Sequence, residues 1–174
     1  RWEWRDVVVL FRATTHMSFY ERALDERGIP THVVGGRGYW AQQQVADLRH
    51  WLAALANPLD ELAVYSVLAS PLAGLSLDAV ALIGMEAQRT GRDPWWLLRA
   101  ADELGELLSP ADARRAAAFV ELFEGERRIA PQVSLETLID RAVTRTGYDR
   151  HTLSLPGGIR RMANVRKLMR MARE

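Results

Sequence analysis

From residue 37 to its end the chain is a succession of helix starts and stops, with no stretch alternating at the period of a strand. Leu48, Trp51, Leu52 and Leu55 recur at helical spacing, and Asn57-Pro58 closes that run. Asp60 stands where a cap accepts a free backbone N–H, ahead of Leu62, Tyr65 and Leu68, and Ser70-Pro71 breaks the helix. Ser76 predicts a cap for a helix reaching about Gln88. Asp93-Pro94 and Ser109-Pro110 each put proline in a first turn, where its missing N–H is not needed. The second of these predicts a long helix to about Arg128. Ser134, followed by Glu136 and Thr137, opens another that ends at Gly147, and Pro156-Gly157-Gly158 precedes the last.

The first 36 residues read differently. Val7 to Arg12 is a continuous apolar run ending in a base, the pattern of a strand buried on both faces. Thr14 or Thr15 is expected to cap a helix whose apolar stripe is Phe19, Ala23 and Leu24 and which ends at Gly28. Thr31-His32-Val33-Val34 is a second short strand. The three elements predict a βαβ unit with a right-handed crossover. Two strands do not make a stable sheet, so its remaining strands are expected from outside this chain. The fold class is therefore mainly α with a small α/β portion. The division falls at 1–36 and 37–174, with Gly35, Gly36 and Gly38 as the hinge.

Composition narrows the chemistry. There is no cysteine, which excludes disulfides, thiolate metal sites and a cysteine nucleophile. The four histidines show no short ligand spacing, so no metal site is expected. The formal charge is +1 from 23 basic and 22 acidic residues, so any binding to nucleic acid must be local. Only Lys167 is lysine; the arginine and alanine excess reads as codon bias. The longest uncharged run, Leu62 to Leu77, contains Pro71 and Gly74 and is too short to span a membrane. The opening Arg-Trp-Glu-Trp-Arg has neither an initiator Met nor signal-peptide character, and reads as cut from a longer protein.

No phosphate loop of the form G-x-x-x-x-G-K-[ST] occurs, nor a G-x-S-x-G or H-E-x-x-H motif. Asp47, Glu61 and Glu103 are expected on solvated helix faces rather than as catalytic bases. No catalytic set is expected in the chain. Three segments carry candidate contacts. Arg12 closes the first apolar run, where ligand-facing residues of open α/β sheets gather. Arg37, Tyr39 and Trp40 follow the glycines, and the aromatics suit either base stacking or core anchoring. Ser70 to Ser76, with Gly74 between, is a tight turn opening a helix whose free N–H groups suit a phosphate oxygen, or a plain interhelical turn. The closing helix pairs Arg160, Arg161, Arg166, Lys167, Arg170 and Arg173 with an apolar stripe of Met162, Val165, Leu168, Met169 and Ala172.

These segments occur in an order that resembles UvrD/Rep-type superfamily 1 DNA helicases, closest in flavour to the AddA/RecB helicase–nuclease branch. The series runs Val-Val-Val-Leu-Phe-Arg-Ala, Gly-Ile-Pro, Gly-Gly-Arg-Gly-Tyr-Trp, Val-Ala-Asp-Leu, Leu-Ala-Asn-Pro and Leu-Ala-Ser-Pro-Leu-Ala-Gly-Leu-Ser, and closes with Arg-Met-Ala-Asn-Val-Arg-Lys-Leu. The resemblance implies a piece of such a helicase: 1–36 as the start of the second motor domain and 37–174 as its helical accessory insertion. The parent would bind ATP and Mg, hydrolyse ATP, and act on a single-stranded/duplex DNA junction in cytoplasmic repair or recombination. It would work with its other helicase domains and a nuclease partner. The piece itself would hold no cofactor.

Arg12 matches the family's strand-closing base, Gly35 and Gly36 its boundary glycines, Tyr39-Trp40 its aromatic pair, and Gly74 the turn that grips duplex backbone. Two departures stand out. Gln42-Gln43-Gln44 replaces the family's Arg-x-Glu, and neutral Leu72-Ala73 precedes Gly74 where a base is usual. The competing reading is a non-enzymatic helical protein-docking domain, which exposure of Trp95-Trp96 would favour.

Overall fold

The computed structural model describes residues 3–13, 15–29, 31, 37–100 and 104–173, with only the backbone described at Arg5, Ser18 and Arg37. The chain divides into two compact units, residues 1–41 and 42–174.

In the first unit, a 3-10 turn at Trp4–Asp6 is closed by the Glu3 N–H bonding to the Asp6 carboxylate at 2.9 Å. Helix α1 spans Met17–Asp25 and ends before Gly28, whose φ of 67° is the left-handed conformation expected of it. The cap position is His16, without a side-chain cap bond, rather than Thr15; Thr14 lies outside the described residues. Phe19 is exposed, so the stripe expected on α1 is not wholly buried. A one-turn helix α2, Arg37–Trp40, takes in Gly38.

No β-strand occurs among the described residues, which are mainly helical. Residues 7–12, expected as the first strand, form no ladder, and Val7 to Leu10 are all exposed, Leu10 by 90%. The reason is physical: a strand exists by virtue of the backbone it pairs with, and no described neighbour offers one. Of the second expected strand, 31–34, only Thr31 is described; 32–34 lie outside the described residues, as do Gly35 and Gly36.

The second unit is helical throughout its described length. Its elements are α3 (Gln43–Ala56), α4 (Glu61–Leu68), α5 (Leu77–Thr90), α6 (Pro94–Arg99), α7 (Pro110–Ile129), α8 (Leu135–Arg145), α9 (Tyr148–Ser154) and α10 (Gly158–Met171). Five starts are capped by the residues the sequence marks. Asp60, Ser76, Asp93, Ser109 and Ser134 accept from the backbone N–H of Ala63, Ala79, Trp96, Asp112 and Thr137. Each bond satisfies a donor that the helix leaves unpaired. The sequence does not announce the short α9: its seven residues are too few for a periodic pattern to show.

Helix α3 is the centre of this unit, packing against α4, α7, α8 and α10. Its Leu48 and Trp51 are fully buried. Trp51 meets Phe123 edge-on, with ring centroids 5.3 Å apart, and Trp95 lies 4.8 Å from Phe123 on another side. Burying each such aromatic contributes roughly 2–3 kcal/mol, and the edge-to-face geometry adds to it. Beside this cluster Glu126 of α7 is buried, with Arg141 at 2.8 Å and Arg145 at 2.5 Å, both from α8. On α10, Val165 and Leu168 are buried, as its apolar stripe predicts.

Candidate nucleic-acid interface

The turn from Ser70 to Ser76 joins α4 to α5. Its first residue is structural: the buried Ser70 hydroxyl donates to the Val67 carbonyl at 2.7 Å and accepts from the Leu72 N–H at 3.2 Å. The Ala73 and Gly74 N–H groups both bond to the Ser70 carbonyl, which tightens the loop. Gly74 adopts φ 68°, and a Cβ there would meet nothing within 4 Å. The residue is exposed, so the turn presents bare backbone to solvent. Leu72 and Leu75 on either side are buried and anchor it.

The other end of the turn is held by Asp112 of α7. Its carboxylate accepts from the Ser76 N–H at 3.1 Å, the Ser76 hydroxyl at 3.0 Å, the Ser109 hydroxyl at 2.8 Å and Arg115 at 3.3 Å. It lies at the N-terminal ends of both α5 and α7, where backbone dipoles favour negative charge. The Ser109 hydroxyl and the Ser76 N–H hold its carboxyl down to about 2, with the Ser76 hydroxyl and Arg115 adding to them against the opposing effect of burial. One carboxylate thus fixes the start of α5, and with it the exposed glycine.

Behind the turn, α3, α9 and α10 enclose a cavity of about 230 Å³ that Ser70 and Pro71 help to line. Asp47 is 3% exposed there, a correction to the solvated face expected for it. Its carboxylate accepts from the Tyr148 hydroxyl at 2.6 Å and from the Gln43 amide at 2.6 Å. Burial and the neighbouring Asp47 carboxylate push the Tyr148 hydroxyl well above the usual phenol range, so it stays a donor. Tyr148 does not stand out in the sequence as a site residue, and Asp47 does so only as a carboxylate on a helix. Asp47 does fall four residues before Trp51, on the same face of its helix, but that spacing does not identify its partner.

The remaining candidate residues lie in the first unit. Arg12 is exposed in the irregular stretch after the apolar run. Arg37 opens α2, with its side chain outside the described set. Of the aromatic pair, Tyr39 is buried and Trp40 is 44% exposed, with their rings 5.2 Å apart and edge-on. The second aromatic pair also divides: Trp95 is buried, and Trp96 is 41% exposed with the Arg92 guanidinium 3.7 Å above its ring. Among the described residues there is no group of three or more metal-ligating side chains, and no helix is long and apolar enough to cross a membrane.

No protein-family profile matches the chain. Individual relatives do, along its whole length. It is 30% identical over its full length to an ATP-dependent helicase/nuclease subunit of Acetivibrio thermocellus. It is 30% identical over 98% of its length to the ATP-dependent DNA helicase UvrD1 of Mycobacterium tuberculosis. To the like-named helicase/nuclease protein of Geobacillus kaustophilus it is 31% identical, again over 98%. The chain spans 14% of the length of each helicase/nuclease relative and 22% of UvrD1.

Proposed function

Because this chain is a homologue, along its whole length, of a segment of the UvrD/AddA-type superfamily 1 helicases, we propose that it serves as the accessory segment of an ATP-dependent DNA helicase acting in repair or recombination. The observation that carries this reading is the match, over 98–100% of the chain, to relatives named for that activity. Residues 1–36 are read as the first βαβ portion of the second motor domain, and residues 37–174 as the helical insertion that swivels on Gly35, Gly36 and Gly38. ATP and Mg bind elsewhere in the parent, where a phosphate loop must lie. A nuclease protein is its partner, and it works in the cytoplasm on single-stranded/duplex junctions.

In this role the Gly74 turn takes the duplex backbone. Its exposed glycine, free of any Cβ, lets a phosphate approach the main chain, while the start of α5 is already held by the Asp112 carboxylate and only fixes the glycine in place. Arg12, Arg37, Tyr39 and Trp40 are read as further DNA contacts. Ser70 and Ser76 act by shaping the turn, since both hydroxyls are engaged within the protein. A docking role for the tryptophan pair loses support from the burial of Trp95.

Two measurements on the 174-residue chain test the reading. A labelled DNA hairpin followed by anisotropy across a salt series should bind weakly, with log K falling at a slope of about −3 against log salt for three or four phosphates. Sequence preference should be absent, because backbone contacts do not read bases. ATP turnover with single-stranded DNA present should match the buffer control. Absence of hairpin binding at low salt would remove the gripping role, and DNA-stimulated turnover would overturn the assignment of ATP to other parts of the parent.

A further inference from the structure

The cavity behind the turn contains more hydrogen-bond donors than the protein uses. Gln44, which lines it, is 2% exposed, and among the described residues its amide nitrogen has no hydrogen-bond partner. A buried donor left unpaired costs roughly 1–3 kcal/mol, so such a group calls for an acceptor. Its carbonyl oxygen is occupied by Arg161 of α10 at 3.4 Å. Arg161 also bonds to the Pro156 carbonyl at 3.2 Å and, among the described residues, pairs with no carboxylate. Asp47, the one carboxylate among the lining residues, already accepts from Gln43 and Tyr148. Among the described residues, a guanidinium without a carboxylate and an unpaired buried amide therefore line one cavity whose single carboxylate is already engaged.

We propose that this cavity is an oxyanion subsite in which Gln44 and Arg161 receive one phosphate of a nucleic-acid backbone. The oxyanion class follows from the donors. A cation would find a single carboxylate, Asp47, already holding two hydrogen bonds, and would face the Arg161 guanidinium. The volume of about 230 Å³ equals the liquid share of roughly eight waters, room for a phosphate with part of its hydration. The choice of nucleic acid rests on the proposed function: Ser70 and Pro71 belong both to the cavity wall and to the turn that exposes Gly74. A backbone gripped at the turn therefore has a further phosphate site beside it. Asp47 keeps the site weak for a free anion and suits it to a ligand held by several contacts at once.

The decisive variant is Gln44→Glu. It changes shape little and places a carboxylate beside Arg161, so the oxyanion site is closed by its own ion pair, while Arg161→Gln removes the cation without adding a charge near the buried Asp47. Two readouts on the full chain are expected to move. Inorganic phosphate titrated into the unsubstituted protein should shift the Gln44 side-chain amide signal in proton–nitrogen NMR, and in Gln44→Glu the neighbouring Gln43 amide should no longer respond. Hairpin affinity should fall about tenfold and the salt slope should lose about one phosphate's worth in Gln44→Glu, and again in Arg161→Gln, with far-ultraviolet circular dichroism unchanged. Hairpin binding identical in all three proteins would overturn the subsite while leaving the Gly74 grip standing. Phosphate shifts without any hairpin binding would overturn the nucleic-acid occupant together with the proposed function. Absence of phosphate shifts would overturn the oxyanion assignment itself.

Discussion

Asp112 shows how much a single side chain can organise. It bonds to Ser76, Ser109 and Arg115 and ties the start of its own helix to Ser76, 36 positions away in sequence. Its carboxyl is held at about 2, below its value in an unfolded chain. A group whose pKa is depressed by folding contributes stability above its unfolded value, and loses it as pH falls through the folded one. Asp112→Asn should therefore lower the urea midpoint near neutrality. The gap to the unsubstituted protein should close between about pH 4 and about pH 2. A gap that stays constant over that window would mean the charge itself does nothing. Glu126 obeys the same sign: burial pushes its carboxyl up, but the bonds and charges of Arg141 and Arg145 outweigh this and hold it below the ordinary glutamate value.

At the scale of the element, two glycines in regular helices make opposite demands. Gly125 lies within α7, where an added Cβ would meet nothing within 4 Å. Gly158 opens α10, where a Cβ would stand 2.8 Å from the Leu153 carbonyl carbon and closer still to its oxygen. Gly125→Ala should stabilise the chain by about 1 kcal/mol through helix propensity and a less flexible unfolded state. Gly158→Ala should destabilise it, since backbone and not a movable side chain is in the way; about 2 kcal/mol is expected if α10 shifts to relieve the overlap. Urea unfolding of both variants checks the pair, and equal signs would contradict the packing at the α9–α10 junction. That junction supplies Tyr148 and Arg161 to the cavity, so its geometry matters to the site.

For the molecule as a whole, the division into residues 1–41 and 42–174 carries a consequence. Among the described residues every buried apolar side chain except Tyr39 lies beyond residue 41. The second unit should therefore fold without the first. Removal of residues 1–41 should leave one cooperative thermal transition, with a midpoint lowered by less than about 4 °C. Loss of the transition would show that the helical core depends on the first unit. The exposed Val7 to Leu10 run has the opposite character: an apolar segment of strand-forming residues without a ladder, which the proposed parent would pair.

The helix starts at Asp60, Ser76, Asp93, Ser109 and Ser134 were legible in the sequence because a cap acts across three residues, and a contact that short is written in the chain's own order. The glycine at 74 was legible for a like reason, since a left-handed φ is a demand on one residue. The family resemblance rode on these local features, and the relatives bear it out. The burial of Asp47 was not legible, because the residue that receives it, Tyr148, lies 101 positions away. Gln44 and Arg161 are separated by 117 positions. Their meeting depends on how α8 and α10 pack on α3 and α9 packs on both of them, which is a balance of burial and shape over the whole unit. Local chemistry therefore determined where the helices begin and where the turn exposes its backbone. Only the tertiary packing decided which polar groups face one another across the cavity, because that requires distant faces to be dried and matched together.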